Sequence, residues 1–145
     1  MSAAGVVSAH LDEVPTVSYD APEEPDWRPL RHHLGVGAFG VNAFVAARAG
    51  ELVIERHDEV PDDPATTHGH EELYVVVRGA ARFTVGGEEI DAPPGTLVFI
   101  SDMALTREAV ATAEDTVVLA IGAARGVVFE PSPWEERELR ERGVA

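Results

Sequence analysis

Short apolar stretches separated by glycine and proline fill the second half of this sequence, and they limit the folds open to it. Each stretch has the length of a single β-strand, and the Gly-Gly pair at 86–87 is typical of a hairpin turn. Strands of this length at even spacing predict an all-β sandwich or barrel. The predicted strands cover residues 72–79, 81–85, 88–91, 96–100, 105–112 and 115–121.

The flanking sequence predicts an arm, further strands and a helix. Residues 1–26 contain three prolines among acidic residues and show little periodicity, which predicts an extended N-terminal arm. Residues 36–47 predict one or two strands, and 51–59 predict a strand that leads into a loop. The sequence Ser-Pro-Trp-Glu at 132–135 has the pattern of a capping box and predicts a short C-terminal helix. The predicted divisions are an arm over 1–26, a barrel over 27–130 and a helix with its tail over 131–145.

The charge of the chain argues against several partners. Its 26 acidic and 11 basic residues give a formal net charge of -15, which opposes binding to nucleic acids and to anionic membrane surfaces. Apolar runs stay well short of the roughly 20 residues that span a bilayer. The first ten residues lack the basic start and apolar centre of a secretory signal. We therefore expect a cytoplasmic protein that contacts neither nucleic acid nor membrane.

The residue inventory also limits the chemistry. The sequence has no lysine for a Schiff base, no cysteine thiolate and no Gly-x-Ser-x-Gly nucleophile motif. A reaction on this chain must therefore use histidine, aspartate, glutamate, arginine, tyrosine, a metal or a bound cofactor.

Imidazole and carboxylate side chains lead directly into the strand that ends at residue 79. Because side chains alternate between the two faces of a strand, His68, His70, Glu72 and Tyr74 are predicted to share one face, with Arg78 further along it. Burying an unpaired carboxylate at this position would cost several kcal/mol. We therefore expect Glu72 to face a partner, which a metal or ligand site would supply.

Two segments carry a resemblance to a known family. The sequence from Glu72 to Gly79 matches the second half of the first cupin motif, which is a glutamate, six residues and a glycine. The sequence Pro-Pro-Gly-Thr-Leu-Val-Phe-Ile at 93–100 resembles the entry to the second motif. Over residues 35–122 the chain thus resembles a small single-domain cupin. The resemblance implies a double-stranded β-helix, or jelly roll, that binds a metal or a small organic molecule and forms a homodimer through sheet edges or its N-terminal arm.

The family's ligand pattern fits this sequence in two registers. In the first, the His-x-His pair before Glu72 falls on Thr66 and His68, with His70 as an additional imidazole. In the second, residues 61–69 form an inserted loop, and the pair falls on an earlier strand.

The second register uses His57 and Glu59 in place of the His-x-His pair, with His70 and Glu72 completing the set. We favour this register, because Glu55, His57 and Glu59 share a strand face and can project inward together.

The second cupin motif lacks its usual histidine here. That position falls on Thr106, and no histidine follows His70. The resemblance therefore implies a reduced ligand set of His57, His70 and Glu72 with Glu59 or His68. Two imidazoles and a carboxylate with open positions suit a divalent transition metal such as Fe, Mn, Ni or Zn.

Two main classes of function remain open on these residues, beside a structural subunit whose cavity is vestigial. In the first, a metal acts as Lewis acid in the oxygenation or isomerisation of a small metabolite, while Tyr74 or a carboxylate such as Glu72 moves protons. In the second, the barrel is a metal-free binding or sensing module with a pocket filled by Val98, Thr106 and apolar neighbours.

Overall fold

A computed structural model describes residues 4–63 and 68–143. These residues contain nine β-strands, two short α-helices and a 3-10 turn at Leu11–Glu13. The strands are β1 Asp26–Arg28, β2 Gly40–Ala46, β3 Leu52–His57, β4 Glu71–Arg78, β5 Ala81–Val85, β6 Glu88–Ala92, β7 Leu97–Ile100, β8 Arg107–Ala111 and β9 Thr116–Ala123. The helices are α1 Leu30–Leu34 and α2 Pro133–Glu141.

The strands form two antiparallel sheets that face each other. One sheet has the order β1-β2-β9-β4-β7 and the other the order β3-β8-β5-β6. Inward side chains of both sheets meet in one hydrophobic core, where Tyr74 and Val76 of β4 pack near Phe83 of β5 and Ala109 of β8. The predicted all-β double-stranded β-helix is therefore confirmed.

The N-terminal arm packs against the outside of the five-stranded sheet. Val14 is 2% exposed and lies in a cluster with Leu30, Ala43 and Val117. Val17 forms an isolated β-bridge with Trp27 of β1. Apolar contacts thus fix the arm to the barrel.

Helix α2 closes over the end of the arm. Leu139 is fully buried in a cluster with Val17 and Trp27. The rings of Trp27 and Trp134 meet edge to face, with centroids 5.1 Å apart. Neither helix among the described residues is long and apolar enough to cross a membrane.

The predicted capping box does not form at the start of α2. The Ser132 side chain makes no capping hydrogen bond. Glu135 turns inward instead, and its carboxylate accepts hydrogen bonds from Arg31 Nε at 2.5 Å and from Asn42 Nδ2 at 2.6 Å. A charge-assisted bond to a buried partner is stronger than a cap exposed to water, so tertiary contacts override the local signal.

Arg78 does not line the interior, contrary to the strand alternation. A register shift between Val76 and Arg78 in the β4–β9 ladder reverses the direction of the side chain. Arg78 therefore pairs on the outside with Asp12 at 2.8 Å and with Asp115 at 3.1 Å.

Gly79 is required where β4 turns into β5. Its φ of +69° lies in the left-handed region, and a Cβ there would overlap the side chain of Thr116. This backbone geometry explains why the glutamate motif of β4 ends on glycine.

Candidate functional site

A cavity of about 390 Å³ opens between the two sheets. In the five-stranded sheet, Glu72 of β4 pairs with Gly122 of β9, and Gly122 pairs in turn with Gly40 of β2. In the next row of inward side chains, Tyr74 pairs with Ala120. The small residues on β9 and β2 leave empty space beside the polar side chains of β4. The cavity therefore has a carboxylate and a phenol on one wall.

Three possible ligand side chains converge at the inner end of this cavity. His57 Nε2, at the end of β3, lies 3.5 Å from Glu72 Oε1 and 3.6 Å from Glu59 Oε2. The potential ligand atoms of these three residues all lie within 4.8 Å of one another. The backbone N–H of Glu59 donates to the Met103 carbonyl at 2.9 Å, which fixes the loop after β3 against the barrel.

The orientation of the His57 ring is set by the main chain. Its Nδ1 lies 2.7 Å from the carbonyl oxygen of Glu55. Since a carbonyl oxygen can only accept, Nδ1 carries the proton, and Nε2 is the nitrogen that faces the two carboxylates, as a donor when the ring is protonated and with a lone pair when it is neutral. This is the tautomer that a metal ligand requires.

Glu72 has the cationic partner that its burial demands. Arg107 Nη1 donates to Glu72 Oε1 at 3.0 Å, and the Tyr74 hydroxyl donates to the same oxygen. Arg107 is fully buried, and its Nη2 also donates to the carbonyl of Leu105 at 2.8 Å. The carboxylate is thus held between a guanidinium, a phenol and an imidazole.

Arg107 is the site residue that the sequence analysis missed. The second-motif register placed Thr106 at the position of the family histidine, but β8 begins one residue later. Arg107 lies opposite His57 in the β3–β8 ladder, and Thr106 does not line the cavity. The signal in the sequence was an arginine in alternation with Ala109 and Ala111, the inward residues of β8.

The remaining predicted ligands lie elsewhere. His70 lines the same cavity, but its ring packs on Phe129 at 5.4 Å between centroids and is outside the His57, Glu59 and Glu72 group. His68 lies on a separate surface depression, because β4 begins at residue 71 and the strand alternation does not extend back to it. Thr66, the other position of the first register, falls outside the described residues.

The environment of the cluster shifts the pKa values of its members in opposite directions. Burial opposes ionisation of Glu72, but contacts with His57, Tyr74 and Arg107 outweigh it and hold its pKa below the usual value. Burial, together with the charge of Glu72, raises the pKa of Glu59 to about 7. Burial lowers the pKa of His57, yet Glu72 and the Glu55 carbonyl outweigh it and give a net rise. At neutral pH the site therefore holds one firmly ionised carboxylate and one that exchanges a proton readily.

Tyr74 keeps its proton at neutral pH. Burial and the neighbouring Glu72 charge raise its pKa well above the usual value for tyrosine. Tyr74 therefore acts as a hydrogen-bond donor that orients Glu72.

Glu59→Gln should remove a pH-dependent loss of stability in metal-free protein. Because the folded pKa of Glu59 is raised from 4.5 to about 7, its ionisation costs folding free energy as pH rises through that interval, by about 3 kcal/mol in full. In urea unfolding, the variant should match wild type at about pH 5 and exceed it by about 2 to 3 kcal/mol at about pH 8. The exposed substitution Glu88→Gln should change little at either pH. An equal effect of Glu59→Gln at both pH values would contradict the raised pKa.

The cluster fits a divalent metal ion. Ligand atoms about 2.1 Å from a metal, at octahedral or tetrahedral angles, lie about 3.0 to 3.4 Å apart. The separations of 3.5 and 3.6 Å from His57 Nε2 are close to these values and too long for good hydrogen bonds. Hydrogen bonds from Tyr74 and Arg107 to the Glu72 carboxylate are of the kind that orient ligands in metal sites.

One protein-family model matches the chain across this site. It is described as the AraC-like ligand-binding domain and matches residues 48–116. The matched segment contains His57, Glu59, Glu72 and Arg107. No curated protein sequence matches the chain.

Several solved structures share the fold. KdgF from Halomonas sp. has 18% identity and a TM-score of 0.60, covering 79% of this chain and 91% of its own. An uncharacterised conserved protein with a double-stranded β-helix domain from Klebsiella pneumoniae has 16% identity and a TM-score of 0.62, covering 91% of this chain and 97% of its own. A predicted oxalate decarboxylase from Thermotoga maritima has 12% identity and a TM-score of 0.60, covering 86% of this chain and 100% of its own. At these identities the likeness shows a common fold.

Proposed function

We propose that this chain, which shares the double-stranded β-helix fold and matches the AraC-like ligand-binding domain over residues 48–116, is a cupin-superfamily domain that binds a small organic molecule in its barrel, beside a divalent metal held by His57, Glu59 and Glu72. The convergence of these three side chains at the inner end of a ligand-sized cavity is the observation that carries the proposal. His70 lies on the cavity wall, where it contacts the organic molecule rather than the metal.

The chain's own residues prepare the carboxylates of this site for a metal. Glu59 has a pKa of about 7 before metal binding, so its carboxylate is freed for coordination as the pH rises through that value. Tyr74 and Arg107 hold Glu72 in place with two hydrogen bonds to one oxygen. A bound metal would supply Lewis acidity for polarising an oxygen of the ligand. This arrangement suits isomerisation or oxygenation of a small metabolite.

A metal-free binding or sensing module is the second candidate. The fixed charge of Arg107 favours the metal-free module. Its Nη1 lies 3.0 Å from Glu72 Oε1, so the guanidinium already compensates one of the two carboxylates without a metal. In that case Glu59 is a buried acid whose pKa of about 7 lies close to neutral pH, and its carboxylate accepts a hydrogen bond from the organic molecule.

Thermal unfolding of chelator-treated protein separates the two candidates. A metal that binds the folded chain and not the unfolded chain raises Tm, and above Kd the rise grows with the logarithm of the metal concentration. We expect Fe(II), Mn(II), Ni(II) or Zn(II) to raise Tm by several degrees, and Mg²⁺ to have little effect because histidine is a poor ligand for it. Unchanged Tm with all four metals would leave the metal-free module as the function.

We also propose that the protein forms a homodimer through the outer face of β4 and β7. Leu97 and Phe99 are 65% and 59% exposed on this face, and they pair in register with Val75 and Leu73. A second copy packed on this face can cover the apolar side chains. Since β7 is the edge strand of its sheet, the second copy can also continue the sheet there.

The dimer is tested by light scattering on Phe99→Asp and on Val128→Asp, a matched change at an 87% exposed valine elsewhere. We expect wild type and Val128→Asp to have the mass of two chains and Phe99→Asp to have that of one. A wild-type protein with the mass of one chain would refute this interface.

A further inference from the structure

We propose that the cavity selects an organic molecule with a protonated primary or secondary amine, held at the end where the N-terminal arm meets α2. This inference rests on the proposed binding of a small molecule in the barrel. It holds whether or not a metal occupies the inner end. Three independent features of the cavity wall carry it.

The first feature is the charge of the wall. Glu24, Glu55 and Asp58 line the cavity, and none of them forms an ion pair with an arginine among the described residues. Glu138 also lines it, paired only with Arg142 at 3.5 Å. A ligand that covers these carboxylates removes water from them, which costs free energy. A positive charge on the ligand offsets that cost.

Basic side chains are correspondingly scarce at this wall. Arg107 is used by Glu72 and by main-chain carbonyls, and Arg31 is used by Glu135 at 2.5 Å. Arg137 is the one arginine among the lining residues that the structure describes, against seven acidic residues, and it lies exposed at the rim as Glu24, Glu55 and Asp58 do. The sequence has no lysine. Among the described lining residues, a carboxylate or phosphate ligand would therefore find no buried arginine or lysine free to pair with it.

The second feature is the aromatic composition of the wall. Six of the chain's nine aromatic residues line this one cavity, including both tryptophans and both tyrosines. Aromatic faces attract cations, most strongly where water is excluded. The arm end already holds one cation in this way, since the Arg142 guanidinium lies 5.0 Å from the centre of the Tyr19 ring.

The third feature is a buried acceptor without a partner. Asn42 lines the cavity and is 7% exposed, and its Nδ2 donates to Glu135 at 2.6 Å. Because Glu135 can only accept when ionised, this bond fixes the amide with Oδ1 as the remaining group. Oδ1 has no hydrogen-bond partner among the described residues. An unsatisfied buried acceptor costs free energy, and an N–H of the ligand would remove that cost.

The three features specify different parts of one ligand. The carboxylates favour positive charge, the aromatic rings favour an apolar body next to it, and Oδ1 of Asn42 favours a hydrogen-bond donor, which a charged N–H supplies. A protonated primary or secondary amine on an apolar or aromatic skeleton meets all three requirements. A bare metal ion lacks the apolar body, and a quaternary ammonium lacks the N–H.

The test compares three probes of nearly equal shape: 2-phenylethylamine as the cation, 2-phenylethanol as the neutral analogue and phenylacetate as the anion. Both tryptophans of the chain, Trp27 and Trp134, line this end of the cavity, so their fluorescence reports binding directly. We expect the amine to bind at least about tenfold more tightly than the alcohol, and the anion to bind most weakly. Binding of the alcohol or the anion as tightly as the amine would overturn the inference and leave small-molecule binding intact.

Matched variants locate the charge effect. The double variant Glu24→Gln/Glu138→Gln should weaken amine binding about tenfold and leave binding of the alcohol unchanged. The control Glu23→Gln/Glu136→Gln removes the same charge from the same two segments at residues outside the cavity wall, and it should bind the amine like wild type. Equal loss in both double variants would overturn the inference in favour of a general surface-charge effect.

Asn42→Leu gives a second, independent test. It removes the unpartnered acceptor at similar volume, together with the Nδ2 donor to Glu135. The amine and the alcohol are therefore compared within this variant, where the amine should be weakened severalfold more than the alcohol. If none of the probes changes the fluorescence, the amine assignment is wrong. The metal-induced rise in Tm then decides separately whether the proposed function stands.

Discussion

Arg107→Met should lower the free energy of unfolding by about 3 to 5 kcal/mol, because it leaves a buried carboxylate without its cationic partner. Glu72 is largely buried, with its side chain 13% exposed, and Arg107 is fully buried beside it. Methionine fills much of the arginine's volume but donates no hydrogen bond to Glu72 or to the carbonyls of Leu105 and Asp102. Urea unfolding at neutral pH measures the loss.

Two further variants identify the cause of that loss. Arg82→Met removes an exposed arginine from its pair with Asp91, and it should cost at most about 1 kcal/mol. Adding Glu72→Gln to Arg107→Met removes the stranded charge, so the double variant should recover part of the stability. A double variant as unstable as the sum of the two single variants would show that the pair is not the source of the effect.

Glu72→Gln should weaken metal binding by at least about a hundredfold, since it replaces an ionised ligand by a neutral amide; loss of an outer-shell partner alone typically costs 10- to 100-fold. The neighbouring change Glu71→Gln is the matched control. Glu71 points to the other side of β4, where it pairs with the exposed Arg125 at 3.0 Å. Titration of chelator-treated protein with Zn(II) compares the two variants at constant net charge.

The same two variants also separate metal binding from folding. Glu72 is ionised in the folded state with a lowered pKa, so it stabilises the fold above its unfolded pKa, and Glu72→Gln should lose some metal-free stability at neutral pH. Glu71→Gln should be nearly neutral. Equal metal affinity in Glu72→Gln and wild type would remove Glu72 from the proposed ligand set.

The barrel could be predicted because its signals are local. Each short apolar stretch ends at a residue that the turn geometry requires, as Gly79 shows at the end of β4. The strand-face alternation also placed His57 and Glu59 together, and the structure brings both to Glu72. The alternation of side chains along a strand is sufficient to assign a residue to one face of the sheet where that residue lies within the strand or next to it.

The rest of the site depends on contacts that are distant in sequence. Arg107 is 35 residues from Glu72, and its role follows from the exact start of β8, which sequence patterns define poorly. Glu135 looked like a local cap, yet its partners Arg31 and Asn42 are more than 90 residues away. The bulge that turns Arg78 outward likewise has no local marker. These residues are positioned by tertiary packing, which overrides the local pattern.

The metal content of the purified protein tests the central claim most directly. Mass spectrometry of tag-free protein, prepared without chelators, gives the metal-to-protein ratio of wild type beside His57→Ala and His70→Ala. The account predicts about one metal ion per chain in wild type and in His70→Ala, and almost none in His57→Ala, because Nε2 of His57 is the one imidazole nitrogen in the cluster. A wild type without metal, even after incubation with Fe(II), Mn(II), Ni(II) or Zn(II), or a metal retained by His57→Ala and lost by His70→Ala, would contradict it.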